Sequence, residues 1–113
     1  MISDRIKRLV NARDGHCWHC GETEGLQVHH RKNRGQGGSK ILDRLDNLIL
    51  VCAKYNFAME ADPDAARDAR EFGHKLQSWQ DFSNPVFDRI GLTWYKLTED
   101  GRKEKVNAPD YLI

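Results

Sequence analysis

Apolar Ile6, Leu9 and Val10 recur at i, i+3 and i+4 in an otherwise polar stretch. That spacing predicts a short helix over residues 4–12, with Ser3 or Asp4 as its cap and Asp14-Gly15 as its stop. Leu26-Gln27-Val28 alternates and predicts a strand that runs into His29-His30. Residues 32–46, with Gly35, Gly37 and Gly38, read as a loop. Leu48-Ile49-Leu50-Val51 is a continuous apolar run and predicts a short buried strand. The pattern turns helical at Ala53 and is interrupted at Asp62-Pro63. Pro63 suits the first turn of a second helix, which reaches Phe72 and is stopped by Gly73. Ser83-Asn84-Pro85 is a loop. Residues 92–97 alternate, Glu99-Asp100-Gly101 is a turn signal, and residues 102–106 make the return strand of a hairpin. The expectation is an α+β fold in a single domain, residues 1–113, with a core over 14–75 and a C-terminal extension over 76–113.

The chain has 113 residues, so its core is small and a metal staple would help it fold. Mean hydropathy is -0.74 and 31% of residues are charged. The longest apolar run, from Leu48 to Ala53, is far too short to span a membrane, and the first residues lead into a helix without a signal-peptide pattern. These features predict a soluble, cytoplasmic protein with no membrane partner. A net charge of +1 gives no support for nucleic-acid binding by itself. The distribution is less neutral, since residues 26–40 carry Arg31, Lys32, Arg34 and Lys40 and no acid. Such a patch can meet phosphates, or it can be a solvated loop.

Cys17 and Cys20 form a Cys-x-x-Cys pair, and Cys52 is the third cysteine. In a reducing compartment this pair points to metal rather than a disulfide. The redox reading needs a βαβ context, which the pattern lacks. His29 and His30 are adjacent on a predicted strand, so their side chains leave opposite faces and suit two separate tasks. Trp18, Trp79 and Trp94 read as packing residues rather than base-stacking platforms, and His74 as structural.

Taken in order, Cys17-x-x-Cys20, Val28-His29-His30-Arg31, Gly37-Gly38 and Asp46-Asn47-Leu48-Ile49-Leu50-Val51-Cys52 resemble the HNH nucleases of the ββα-metal class. The nearer likeness is to the small HNH proteins of bacteriophages and actinobacteria, and it is most specific over residues 17–60. The resemblance implies a ββα-metal core with a zinc-knuckle-like Cys-x-x-Cys, an N-terminal helix and a C-terminal β-hairpin. It implies a metal-dependent DNA endonuclease, phage-encoded and active in the host cytoplasm, that nicks DNA or cuts both strands.

On that resemblance His30 is the general base. Asn47 holds the loop and orients the base through a hydrogen bond. His29 and Asn56 hold a catalytic divalent ion. Glu60 lies at i+4 from Asn56 on the same helix face, where it either adds a further ligand or holds a metal-bound water. Oxygen donors from Asn56 and Glu60 favour Mg²⁺ or Mn²⁺, with Ni²⁺ or Zn²⁺ as alternatives. Arg31, Lys32 and Arg34 contact DNA. Cys17, Cys20 and Cys52 hold a structural Zn²⁺, but Tyr55 stands where the fourth cysteine is expected. His19 or His16 completes the site, or the three cysteines simply pack as small buried residues. The partner is DNA, with a terminase or another packaging protein as a second candidate. The rival reading is a non-catalytic DNA-binding or packaging-adaptor module with a decayed site.

Overall fold

A computed structural model describes residues 2–33 and 40–112 of the chain. Helix α1 (Asp4–Asp14) starts at Ser3, whose hydroxyl accepts the Ile6 N–H at 3.2 Å, and ends at Gly15 in the left-handed region. The helix runs two residues beyond the expected end. Its last residue, Asp14, is buried and accepts the Leu50 N–H at 3.0 Å. The stop signal is therefore also a tie between helix and sheet.

Strands β1 (Leu26–His30) and β2 (Leu48–Cys52) pair antiparallel, with His29 opposite Ile49 and His30 opposite Leu48. Side chains directly opposite each other share a face. Leu48 and Leu50 pack with Val10 of α1 on one side. Ile49 and Val51 pack on the other with Trp18, Tyr55, Met59, Val86 and Leu97. Because both faces of β2 are covered, its sequence is a continuous apolar run instead of an alternation.

Helix α2 (Ala53–Ala61) follows β2 directly, and the Cys52 sulfur accepts the Tyr55 N–H at 3.3 Å at its start. Helix α3 (Pro63–Glu71) has Pro63 in its first turn, as expected, and Asp62 as its cap. Gly73 follows at φ +73, where an added Cβ would collide with the Pro85 carbonyl. The C-terminal hairpin is present as β4 (Thr93–Leu97) and β5 (Lys103–Val106). A further strand, β3 (Val86–Asp88), pairs with β4 and makes this a three-stranded antiparallel sheet. Three residues are too few to show a period of two, and this strand was not expected.

The described residues form a small α+β domain with three α-helices and two small antiparallel sheets. Backbone bonds join the parts: Trp18 N–H to Leu50 O at 3.1 Å, Arg89 N–H to Trp18 O at 3.1 Å, and Phe87 N–H to Phe72 O at 2.8 Å. Trp18 is buried and Trp94 half-buried, in line with packing roles. Trp79 is 78% exposed, so the expectation that it packs is wrong. No helix among the described residues is long and apolar enough to cross a membrane.

Candidate functional site

The β1–β2 hairpin and α2 enclose a cleft of about 490 Å³ lined by His29, His30, Gln27, Asn56, Phe57 and Glu60. The strand alternation sends the two histidines different ways, as expected. His29 shares the face of Ile49 and is buried, with Nε2 at 3.0 Å from the His74 carbonyl. A carbonyl only accepts, so Nε2 carries the proton and Nδ1 keeps its lone pair. Burial pushes the pKa of His29 down to about 4, so the ring is neutral at physiological pH. Asn56 donates its side-chain N–H to Gln27 Oε1 at 2.6 Å. Glu60 receives Lys75 Nζ at 3.4 Å.

His30 is half-buried, and its Nε2 lies 2.7 Å from Asp43 Oδ1. Sequence reasoning missed Asp43. It lies thirteen residues away at the end of a 3-10 turn (Lys40–Asp43), and no local pattern links it to β1.

Asn47 is fully buried. Its side-chain amide donates to Lys32 O at 3.0 Å and Leu42 O at 2.8 Å, and its oxygen accepts the Lys32 N–H at 2.8 Å. It therefore clamps the chain where the loop leaves and returns, as expected. The expected hydrogen bond from Asn47 to the base is not made, because both N–H donors are spent on those carbonyls. The group held against His30 is Asp43. Asn47→Ala would leave the buried Leu42 carbonyl and the half-buried Lys32 carbonyl and N–H without these partners, at a cost of about 2–4 kcal/mol. A thermal melt followed by circular dichroism should show a midpoint at least about 10 °C lower.

The expected phosphate contact by Arg31 is corrected by its burial at 1% exposure. Nε donates to Gly73 O at 2.8 Å. Nη1 donates to Asp46 O at 3.1 Å and Phe82 O at 3.4 Å, and Nη2 to Asn84 O at 2.6 Å and Pro85 O at 3.3 Å. All five donors of the guanidinium are used, and none faces a ligand. Lys32 is half-buried with Nζ on Gln80 O at 2.6 Å. Arg34 and the glycines Gly35, Gly37 and Gly38 lie outside the described residues.

The three cysteines are brought together, with each sulfur within 4.8 Å of the others. Cys20 and Cys52 sulfurs stand 3.7 Å apart. The peptide N–H groups of His19 and Tyr55 point at Cys17 and Cys52 sulfurs, each at 3.3 Å. This cluster can hold a metal ion.

Tyr55, where a fourth cysteine was expected, directs its hydroxyl to His74 Nδ1 at 2.7 Å. His74 Nε2 donates to Phe87 O at 2.7 Å. His19 stacks on the Tyr55 ring with centroids 3.9 Å apart, and His16 Nδ1 turns to Cys17 O at 3.1 Å. Among the described residues no fourth histidine, cysteine or carboxylate joins the three sulfurs.

His74 is structural, as expected. It is fully buried, and burial pushes its pKa down to about 3. The unfolded chain binds more protons than the folded one below the ordinary histidine value of 6.5. Stability is therefore lost as pH falls from about 6.5 towards 4, at up to about 1.4 kcal/mol per pH unit for each of His29 and His74. Chemical-denaturation midpoints measured from pH 7 to pH 4.5 should fall steeply, and His74→Gln should flatten the slope.

The fold and the site together define a small α+β domain with a three-cysteine cluster and a separate two-histidine cleft. No family model, curated protein or solved structure matches the chain.

Proposed function

We propose that the chain is a metal-dependent DNA endonuclease of the HNH kind, hydrolysing phosphodiester bonds at the His29–His30 cleft. The observation that carries this reading is the pair of histidine environments. His29 is buried and neutral, with one ring nitrogen tied to a backbone carbonyl, which is the usual setting of a metal-bound imidazole. Its neighbour His30 is half-exposed and held by a carboxylate, which suits a base. The hairpin β1–β2 followed directly by α2 is the order the reading requires.

The donor set fits a hard divalent ion. His29, Asn56 and Glu60 line one cleft, and their nitrogen and oxygen donors would hold Mg²⁺ or Mn²⁺. Such an ion, when bound, would supply charge stabilisation for the phosphate and the leaving oxygen. His30 then takes the proton of the attacking water at Nδ1. Its Nε2–H keeps donating to Asp43 Oδ1, which fixes the tautomer and offsets the charge that develops on the ring. Asn47 keeps the loop carrying Asp43 in register with β1.

Incubating supercoiled plasmid with the protein and Mg²⁺, Mn²⁺ or Ni²⁺ should give nicked or linear DNA, and EDTA should abolish the reaction. The commitment of Arg31 and Lys32 to backbone carbonyls favours a second reading, an adaptor module that does no chemistry. A folded protein inert with every metal would select it.

A further inference from the structure

We propose that the three cysteines bind one Zn²⁺ whose fourth coordination position is left to a neutral ligand from outside the chain, water or an imidazole. The inference is independent of the nuclease reading. Three observations carry it.

The first is the donor set. Cys17, Cys20 and Cys52 bring three sulfurs within 4.8 Å of one another. Peptide N–H groups from His19 and Tyr55 donate to two of them, which fixes those sulfurs in place beside the third. The exposure of Cys20 argues against simple packing of three small apolar residues, since one of the three lies at the surface.

The second is that this chain does not close the site. Tyr55, three residues after Cys52, commits its hydroxyl to His74 inside the core instead of turning to the sulfurs. His74 is in turn anchored on Phe87 O, so this arrangement is fixed on both sides. His19 lies flat on the Tyr55 ring instead of joining the sulfurs.

The third is the space beside the sulfurs. A cleft of about 390 Å³ adjoins Cys20 and Cys52, and it is also lined by His19, Tyr55, Asp64 and Asp68. There is room for an incoming donor. A divalent ion on three thiolates carries one net negative charge, and the α3 carboxylates line the same cleft. Both disfavour an anionic fourth ligand and favour a neutral one. Three protein ligands with a fourth position open is the arrangement in which a zinc site exchanges ligands, whereas four protein ligands make it closed and structural.

Cobalt reports the test directly, because its visible absorption depends on the number of sulfur ligands and on the fourth donor. Full-length protein, purified without metal and titrated with Co²⁺, should bind one ion per chain with thiolate-to-cobalt charge transfer. Zn²⁺ should displace it. Adding imidazole should shift the ligand-field bands.

Cys20→Ser, at an exposed position, should weaken Co²⁺ binding by at least about a hundredfold, since each thiolate carries a share of the binding free energy. His19→Ala should leave the imidazole-free spectrum unchanged. Three results would overturn the proposal. Co²⁺ binding no tighter than in Cys20→Ser means the cysteines only pack. Bands that ignore imidazole mean the site is closed. A spectrum altered by His19→Ala means His19 is the fourth ligand. None of these readouts involves DNA cleavage, so an inert protein with an imidazole-sensitive cobalt spectrum would sink the nuclease and leave this site standing.

Discussion

On the proposed nuclease reading, His30→Ala should lower metal-dependent strand cleavage by about 10²–10⁴-fold, the usual contribution of a positioned general base, while the protein stays folded. The two halves of this expectation have separate physical grounds. The loss follows because no other described residue in the cleft offers a half-exposed imidazole with one nitrogen fixed on a carboxylate. His29 cannot substitute, since it is buried and its Nε2–H is held by the His74 carbonyl. The fold survives because the His30 side chain is 28% exposed and its pair with Asp43 is of the partly solvated kind that adds about 0–1 kcal/mol.

Asp43→Ala should be milder than His30→Ala, because the base remains and only its tautomer and direction are released. The measurement is initial nicking rate in Mn²⁺ for wild type and both variants, with circular dichroism melts alongside. Wild-type rates in His30→Ala would remove His30 from the chemistry. Equal losses in both variants would mean that the dyad works as a unit.

Features that depend on nearest neighbours were legible in the sequence. Helix α1, the Pro63 start of α3, the β4–β5 hairpin and the buried character of β2 follow from local spacing and capping chemistry. The assembly of Cys52 with the Cys17–Cys20 knuckle was anticipated from the resemblance and is present in the fold.

What was not legible depends on partners far along the chain. Asp43 reaches His30 across thirteen residues, and Tyr55 reaches His74 across nineteen. Arg31 is different, because a local signal existed and was outweighed by composition. It stands two residues after His29, just past the end of β1, so continuing the strand alternation from a buried His29 gives an inward Arg31. The surrounding basic, glycine-rich stretch suggested a surface instead.

Arg31 therefore carries the largest stability prediction. Its guanidinium gathers carbonyls from Asp46 ahead of β2, from Gly73 after α3, and from Phe82, Asn84 and Pro85 ahead of β3. Its own backbone adds Arg31 N–H to Asn47 O at 2.8 Å and Leu76 N–H to its carbonyl at 2.7 Å. Burial lowers its pKa to about 9, which still leaves it charged at neutral pH, and five carbonyl dipoles compensate that charge.

Arg31→Ala strands five acceptors and opens a cavity, at a cost of about 5 kcal/mol or more, comparable with the whole stability of a domain this size. It should not accumulate as folded protein. Arg31→Lys is the informative variant. Three donors on a single nitrogen cannot reproduce a planar fork of five, so it should lose about 3 kcal/mol in urea denaturation. Lys32→Ala, which loses one bond from a half-buried ammonium, should lose about 1 kcal/mol. A surface arginine that contacts phosphate would give the opposite pattern: unchanged unfolding in Arg31→Lys, and DNA affinity weakened alike by both substitutions. The five-carbonyl cage joins the end of β1 to the segments that precede β2 and β3. Loosening it should also move His29 relative to α2, so the metal dependence of Arg31→Lys should shift to higher Mn²⁺ concentration even where the chain remains folded.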